Sequence, residues 1–281
     1  MRPKQVYILP NLLTSVNVLA GVFCIIKSSV GGHLALWEAA AVLFIGMVAD
    51  VFDGIIARLQ RATSEFGVQF DSLADVISFG VAPAVLAYNV GLSKLPGRVG
   101  LAIAFLFTVC AALRLAKYNT QATTGEKKSF AGLPTPVSAG FLASATVVLI
   151  KYGYIDANGI SDRLAWPLGL AVIVLSCLMI STVKYPSSAD LIVVGRKPFV
   201  YLSVGTLIIA GSVFMLEEST LAGFTTYLVF GTIRYVYRFF RPLHELGAEV
   251  VRKPRWRLYR RLRRRKILGR FRRDKDRQPP S

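Results

Sequence analysis

Charge is what this 281-residue chain has least of. Only 18% of its residues are Asp, Glu, Lys or Arg, against roughly a quarter in ordinary soluble domains. Hydrophobic types make up 53%. That balance excludes a disordered chain and argues against a soluble enzyme. Cysteine occurs three times and histidine twice. Cys24, Cys110 and Cys177 are scattered through apolar runs, with neither zinc-site spacing nor a disulfide framework. They are expected to be buried packing thiols. Acidic residues are also scarce, 16 against 34 Lys and Arg, for a formal net charge of +18. The excess is concentrated at one end. From Arg234 onward 18 cations meet 4 acids, whereas the first 233 residues carry 16 and 12. The pattern is a nearly neutral apolar body followed by a basic tail.

The body consists of apolar runs of bilayer length, about 20 residues of helix for a core of about 30 Å. Eight spans are expected, near 7–28, 34–58, 67–90, 98–118, 134–152, 164–183, 198–216 and 220–239. No run resembles a cleaved signal peptide and no internal repeat is visible. The expected fold class is therefore an all-α polytopic membrane protein, with the last two spans added to a six-helix core. Its transmembrane domain covers 1–239 (core about 5–190, extra spans about 198–239), and a basic tail covers 240–281.

Loop charge orients the chain. With the N-terminus in the cytoplasm and the spans alternating, 29 of the 34 cations lie on the cytoplasmic side and 5 outside. Without the tail the division is still 11 against 5. Both termini are thus expected in the cytoplasm, in the cytoplasmic (inner) membrane. His33 and His244 fall on opposite sides and are read as incidental.

Four carboxylates stand where an apolar span should have none. Asp50, Asp53, Asp71 and Asp75 fall within 26 residues, in or at the ends of spans two and three. Each such group costs a few kcal/mol to insert on the translocon scale. At about 100° per residue, Asp50 and Asp53 lie about 60° apart on one helix face, and Asp71 and Asp75 about 40° apart on another. The spans run antiparallel through a short cytoplasmic loop, so the two pairs can converge near that membrane surface. Carboxylates that converge repel unless a cation lies between them, and only Arg58 and Arg61 are local. All-oxygen ligands suit a hard divalent ion such as Mg²⁺, Mn²⁺ or Ca²⁺. Gly54 and Gly67 leave helix faces bare enough for a nucleotide or pyrophosphate to approach, or for close helix packing. Arg58 offers a forked cation to phosphate. Together these point to phosphoryl-type transfer on a lipid at the membrane surface.

Asp50-x2-Asp53-Gly54-x2-Ala57-Arg58-x8-Gly67-x3-Asp71-x3-Asp75 resembles the CDP-alcohol phosphatidyltransferase signature at all eight fixed positions, with the family spacing. The resemblance implies a six-helix membrane core, a divalent metal (Mg²⁺ or Mn²⁺), a CDP-linked lipid or alcohol as donor, and release of CMP. It further implies that Asp50, Asp53, Asp71 and Asp75 hold metal. Asp75 would also be the base for the acceptor hydroxyl, and Gly54, Ala57, Arg58 and Gly67 would line the CDP site.

Other segments bear on the acceptor. Span one carries a polar stripe, Asn11, Thr14 and Asn17, at i, i+3, i+6. Span four ends on Ala112-Leu113-Arg114-Leu115-Ala116-Lys117-Tyr118-Asn119, and span five begins at Phe130-Ala131-Gly132-Leu133-Pro134-Thr135-Pro136. Lys184-Tyr185-Pro186-Ser187 leaves span six. These segments, over about residues 5–215, resemble the serine-using branch of the family, the membrane-integral bacterial and archaeal type. That resemblance implies CDP-diacylglycerol and L-serine as substrates. Arg114 and Lys117 can offer a cation to the serine carboxylate, and Asn119 and Thr135 neutral hydrogen bonds. Set against this are positive-inside anchoring for the cations and ordinary helix-start chemistry for Pro134-Thr135-Pro136. Glycerol 3-phosphate, inositol phosphate and choline remain alternative acceptors. A transporter or silent scaffold is a remoter alternative, because acidic residues in spans also mark ion pathways.

The tail interleaves cations with Trp256, Leu258, Tyr259, Leu262, Ile267, Leu268 and Phe271. Anionic lipid is its expected partner, at about 1 kcal/mol per Lys or Arg near the surface. Nucleic acid is not expected as a partner, although basic tails with aromatics also suit RNA. The chain would act as a monomer or a homodimer.

Overall fold

The computed structural model describes residues 8–59, 65–123, 132–156, 159–183 and 218–233. Span seven, the Lys184-Tyr185-Pro186-Ser187 segment, Arg61 and the basic tail lie outside the described residues. By internal contacts the chain divides into a unit of residues 1–232 and a second of 233–281. All but one of the described residues belong to the first.

The described residues are helical apart from one small ribbon. In chain order they form α1 (Ile8–Val30), α2 (His33–Leu59), α3 (Glu65–Asp75), a π-helix (Val76–Val81), α4 (Ala82–Val90), a 3₁₀ turn (Leu92–Lys94), α5 (Val99–Thr123), α6 (Thr135–Lys151) and α7 (Asp162–Ile180). Strands β1 (Ile155–Asp156) and β2 (Gly159–Ile160) pair antiparallel between α6 and α7. A further helix, α8, covers 218–233.

Among the described residues, five segments are long and apolar enough to cross a membrane: Asn11–Val30, His33–Ile56, Phe66–Val90, Val99–Thr120 and Asp162–Ile180. They coincide with spans one to four and six of the sequence reading. The fifth expected span is apolar but only 17 residues long, about 26 Å at 1.5 Å per residue. It starts late because Pro134 is extended and caps the helix from outside.

Large apolar side chains cover the outside. Leu12, Leu19, Phe23 and Ile26 of α1, Phe105, Val109 and Leu113 of α5, and Trp166, Leu170 and Val174 of α7 are all exposed. A soluble domain would bury such a surface, and in lipid it is the ordinary outside of the molecule. Cys24 and Cys110 are buried as expected, but Cys177 is exposed on α7. Next to lipid an apolar thiol has no need to be covered. The interior between α1, α2, α4 and α6 holds Leu36, Leu43, Phe44, Phe79 and Leu86, with Ala39, Ala40, Ala139 and Ala143 between them. The small residues let backbones approach where no hydrophobic force drives helices together.

Span three departs from a continuous α-helix directly after Asp75. Across Val76–Val81 the turns widen, and the Ala82 N–H donates to the Ile77 carbonyl five residues back. Ser78, Phe79 and Gly80 of the wide turn are buried. Ser78 Oγ donates to the Asn17 carbonyl of α1 at 2.7 Å. A Cβ on Gly21 would lie 2.8 Å from the Ser78 Cα. The bare face of Gly21 therefore lets α1 close on the π-helix.

Candidate metal and acceptor site

The four aspartates, Arg114 and their hydrogen-bond partners gather at one end of the bundle. The C-terminal halves of α2, α3 and α5, the N-terminal half of α1, the first turn of α6 and the last turn of α7 meet around the aspartates. Asp50 of α2 and Asp71 and Asp75 of α3 each offer an oxygen, and the three oxygens lie within 4.8 Å of one another. Two helices joined by a short connection can do this only if each turns its acidic face to the other, as the i, i+3 and i, i+4 spacings require.

The fourth aspartate of the signature is held by α1. Asp53 is buried and accepts a hydrogen bond from the Thr14 hydroxyl of α1. Its Oδ1 is buried with no hydrogen-bond partner. It remains within Coulomb range of Asp50 and Asp71. One helical turn along α1, Asn17 Nδ2 donates to Asp75 Oδ1 at 3.3 Å. The stripe on span one therefore has a structural purpose: two of its members hold one aspartate each. Thr14 and Asn17 were legible as a stripe, but nothing in the sequence said what they would touch.

No Lys or Arg forms an ion pair with the four aspartates among the described residues. Three ion pairs lie at the opposite end of the bundle among the described residues: Lys27–Glu38 at 2.5 Å, Lys94–Asp162 at 3.9 Å and Lys151–Glu218 at 2.8 Å. Three clustered carboxylates with no ion-pair partner among the described residues are a site for a cation. The donors are all oxygen, and the described residues bring no Cys or His into the group. They fit a hard divalent ion.

Of the residues expected around the CDP moiety, Gly54 is exposed on α2 directly after Asp53, and Gly67 is half-buried in the first turn of α3. Ala57 and Arg58 belong to the end of α2, with side chains outside the described residues.

The expected acceptor residues divide. Arg114 of α5 donates from Nη1 to Thr135 Oγ1, the first residue of α6, at 3.2 Å. Thr135 is fully buried, and Arg114 Nε is buried without a hydrogen-bond partner. Arg114 is also within electrostatic reach of Asp75. Asn119 instead donates to Ser72 of α3 at 2.8 Å, which ties α5 to the helix of the aspartates. Lys117 is exposed.

Thr135 is held in place by the segment before it. Gly132 has φ +93°, and its N–H donates to the Val183 carbonyl at 2.8 Å while the Leu133 N–H donates to the Leu178 carbonyl at 2.9 Å. The second bond serves a carbonyl in the last turn of α7, where the helix leaves such groups unpaired, and the first reaches the segment just beyond it. A Cβ on Gly132 would lie 2.2 Å from the Met179 oxygen. The left-handed backbone and the missing side chain are both needed for the segment to seat on α7.

A match to the CDP-alcohol phosphatidyltransferase family covers residues 7–180. The chain belongs to the CDP-alcohol phosphatidyltransferase family. Among its relatives, the CDP-diacylglycerol–serine O-phosphatidyltransferase of Helicobacter pylori (strain 26695) is 34% identical over 237 residues, 83% of this chain and 93% of the relative. The protein of that name from Methanocaldococcus jannaschii is 29% identical over 233 residues, covering 83% and 96%. That from Bacillus subtilis (strain 168) is 35% identical over 182 residues, 63% of this chain and 89% of the relative. CDP-alcohol phosphatidyltransferases depend in general on a divalent metal, and the aspartate cluster offers one an all-oxygen site.

Proposed function

We propose that the protein transfers the phosphatidyl group of CDP-diacylglycerol to the hydroxyl of L-serine, giving phosphatidylserine and CMP. The observation that carries the serine reading is the likeness to relatives named CDP-diacylglycerol–serine O-phosphatidyltransferase, and Arg114, held by Thr135 within electrostatic reach of Asp75, supplies a chemistry for it. An acceptor that carries a hydroxyl and a carboxylate on one small frame fits a base beside a cation. Choline offers Arg114 nothing. Glycerol 3-phosphate and inositol phosphate bring a dianion that calls for more positive charge than one arginine.

In this reading Asp50, Asp53, Asp71 and Asp75 would hold Mg²⁺ or Mn²⁺, Asp53 through the Oδ1 that has no donor. When bound, the ion neutralises charge on the pyrophosphate and on the departing CMP. Gly54, Ala57, Arg58 and Gly67 form the wall along which the CDP moiety lies, and the acyl chains stay in lipid. Arg114 holds the serine carboxylate, with its guanidinium oriented by Thr135, and Lys117 and Asn119 stand at the cytoplasmic rim. Asn17 fixes the Asp75 carboxylate by Oδ1, and the carboxylate so oriented would take the proton from the serine hydroxyl. The serine oxygen then bonds to the phosphorus that carries diacylglycerol. The bond from that phosphorus to CMP breaks.

The enzyme works as a multi-pass protein of the cytoplasmic membrane, with eight spans, both termini and the active site on the cytoplasmic side. It acts as a monomer or a homodimer. Residues 1–239 form the catalytic domain, and the basic tail, 240–281, rests on anionic lipid. Positive-inside bias and the one-ended clustering of the polar groups support this orientation.

Arg114→Ala tests the acceptor assignment. It should raise the KM for serine on the order of 10²-fold, as expected when one partner of a charge pair is removed, while the KM for CDP-diacylglycerol changes little. Ethanolamine, which lacks the carboxylate, should be a poor acceptor for the wild type, and the gap between it and serine should narrow in the variant. Unchanged serine kinetics would remove Arg114 from the acceptor site.

A further inference from the structure

Helix α8 lies beyond the stretch that matches the family, which ends at residue 180, yet it is docked on the core at more than one level. At the end of the bundle away from the aspartates, Glu218 accepts from Lys151 Nζ at 2.8 Å and from the Tyr152 hydroxyl at 3.0 Å. Further along, the ring of Phe224 fills the face of α6 left bare by Gly140. A Cβ there would come within 2.3 Å of the Phe224 ring. The start of α8 thus meets the end of α6, and its middle meets the middle of α6. The two helices run antiparallel, and α8 advances toward the first turn of α6, where Thr135 binds Arg114.

Tyr227 follows Phe224 by three residues and so shares its face, one turn nearer that end. It is half-buried, and the next residue on the face, Gly231, is buried. The Tyr227 phenol is within electrostatic range of the Arg114 guanidinium. Thr135 accepts from that guanidinium, and Tyr227 brings a second neutral oxygen toward it on the face of α8 that packs on α6. Neutral partners fix an arginine without cancelling its charge, which then stays available to an anionic group. A carboxylate in either place would have satisfied the arginine and closed it to substrate.

We infer that Tyr227, carried by a helix outside the family core, is a positioning residue that holds Arg114 in the orientation the acceptor carboxylate needs. The inference rests on Arg114 being the acceptor cation. It places part of the acceptor specificity in α8, whereas the metal and the CDP donor are served by the core alone.

The test is a double-mutant cycle with Tyr227→Phe and Arg114→Ala, read as the separate KM values for serine and CDP-diacylglycerol and as kcat. Tyr227→Phe keeps the ring and removes only the hydroxyl, and thermal unfolding of the purified protein checks that the fold is intact. In the wild-type background it should raise the serine KM roughly three- to tenfold, the size of one hydrogen-bond-scale interaction, with kcat and the KM for CDP-diacylglycerol nearly unchanged. In the Arg114→Ala background the same change should have no further effect. Phe224→Ala, which loosens α8 from Gly140, should raise the serine KM in the same direction. An unchanged serine KM in Tyr227→Phe overturns the inference, and so does an equal rise in both backgrounds. If Arg114→Ala moves the serine KM and Tyr227→Phe does not, only the inference fails. If Arg114→Ala does not move it, the acceptor assignment fails and the inference falls with it.

Discussion

Asp50→Asn and Asp71→Asn are each expected to lower CMP release by roughly 10²–10³-fold or more, the scale of losing one preorganised electrostatic stabiliser. Asn has the shape of Asp without the charge, so the helices should still pack. Stability should move the other way. Asp50, Asp71 and Asp75 crowd their oxygens within 4.8 Å, and like charges in a poorly solvated site raise the energy of the folded state. Stripped of divalent ions, Asp71→Asn should therefore melt at a higher temperature than the wild type. Added Mg²⁺ or Mn²⁺ should raise the melting temperature of the wild type, because a ligand that binds only the folded state stabilises it by mass action, and should do so much less for the variant. Chelator should silence the wild type and either ion should restore it. Full activity in metal-free buffer, or equal thermal shifts in both proteins, would contradict the metal site.

Asp75→Asn is expected to separate turnover from binding. Asp75 is the cluster member that Asn17 holds by one oxygen at 3.3 Å and that lies within reach of Arg114. It alone faces both the other carboxylates and the proposed acceptor. Loss of a general base costs about 10²–10⁴-fold in rate, so kcat should fall by that factor. Affinity for CDP-diacylglycerol should fall far less, since Asp50, Asp53 and Asp71 remain. The measurement is single-turnover CMP release at saturating donor, beside equilibrium binding of the donor to the same protein. If donor affinity collapsed while turnover per bound donor stayed normal, Asp75 would be a metal ligand and nothing more.

The sequence carried the chemistry further than the geometry. Aspartates at helical spacing in apolar runs are legible because lipid makes every unneeded charge costly, so Asp50, Asp53, Asp71 and Asp75 could be read as converging. Asp53 could not be read as turned toward Thr14, because that depends on how closely α1 packs, and α1 is seated by Gly21 against Ser78. The π-helix after Asp75 left no sign in composition: Val-Ile-Ser-Phe-Gly-Val reads as ordinary apolar helix, and the packing of α1 on Ser78 and of Ala111 of α5 on Gly80 gives it a reason. Arg114 and Thr135 were both visible as polar residues at span ends, but their hydrogen bond joins α5 to α6 through a loop fixed by Gly132 on α7. Three helices must be placed before that contact exists. The role of α8 was the least legible. Its residues look like any apolar span, and the complementarity of Phe224 to Gly140 appears only when the two helices are side by side.

The central claim is the pairing of one donor with one acceptor, and CMP release by purified protein measures it. The protein is supplied with CDP-diacylglycerol, Mg²⁺ or Mn²⁺, and in separate reactions L-serine, glycerol 3-phosphate, inositol phosphate or choline. The account predicts CMP release with serine, in step with formation of phosphatidylserine, and little with the others. Release driven by glycerol 3-phosphate, inositol phosphate or choline but not by serine would contradict it.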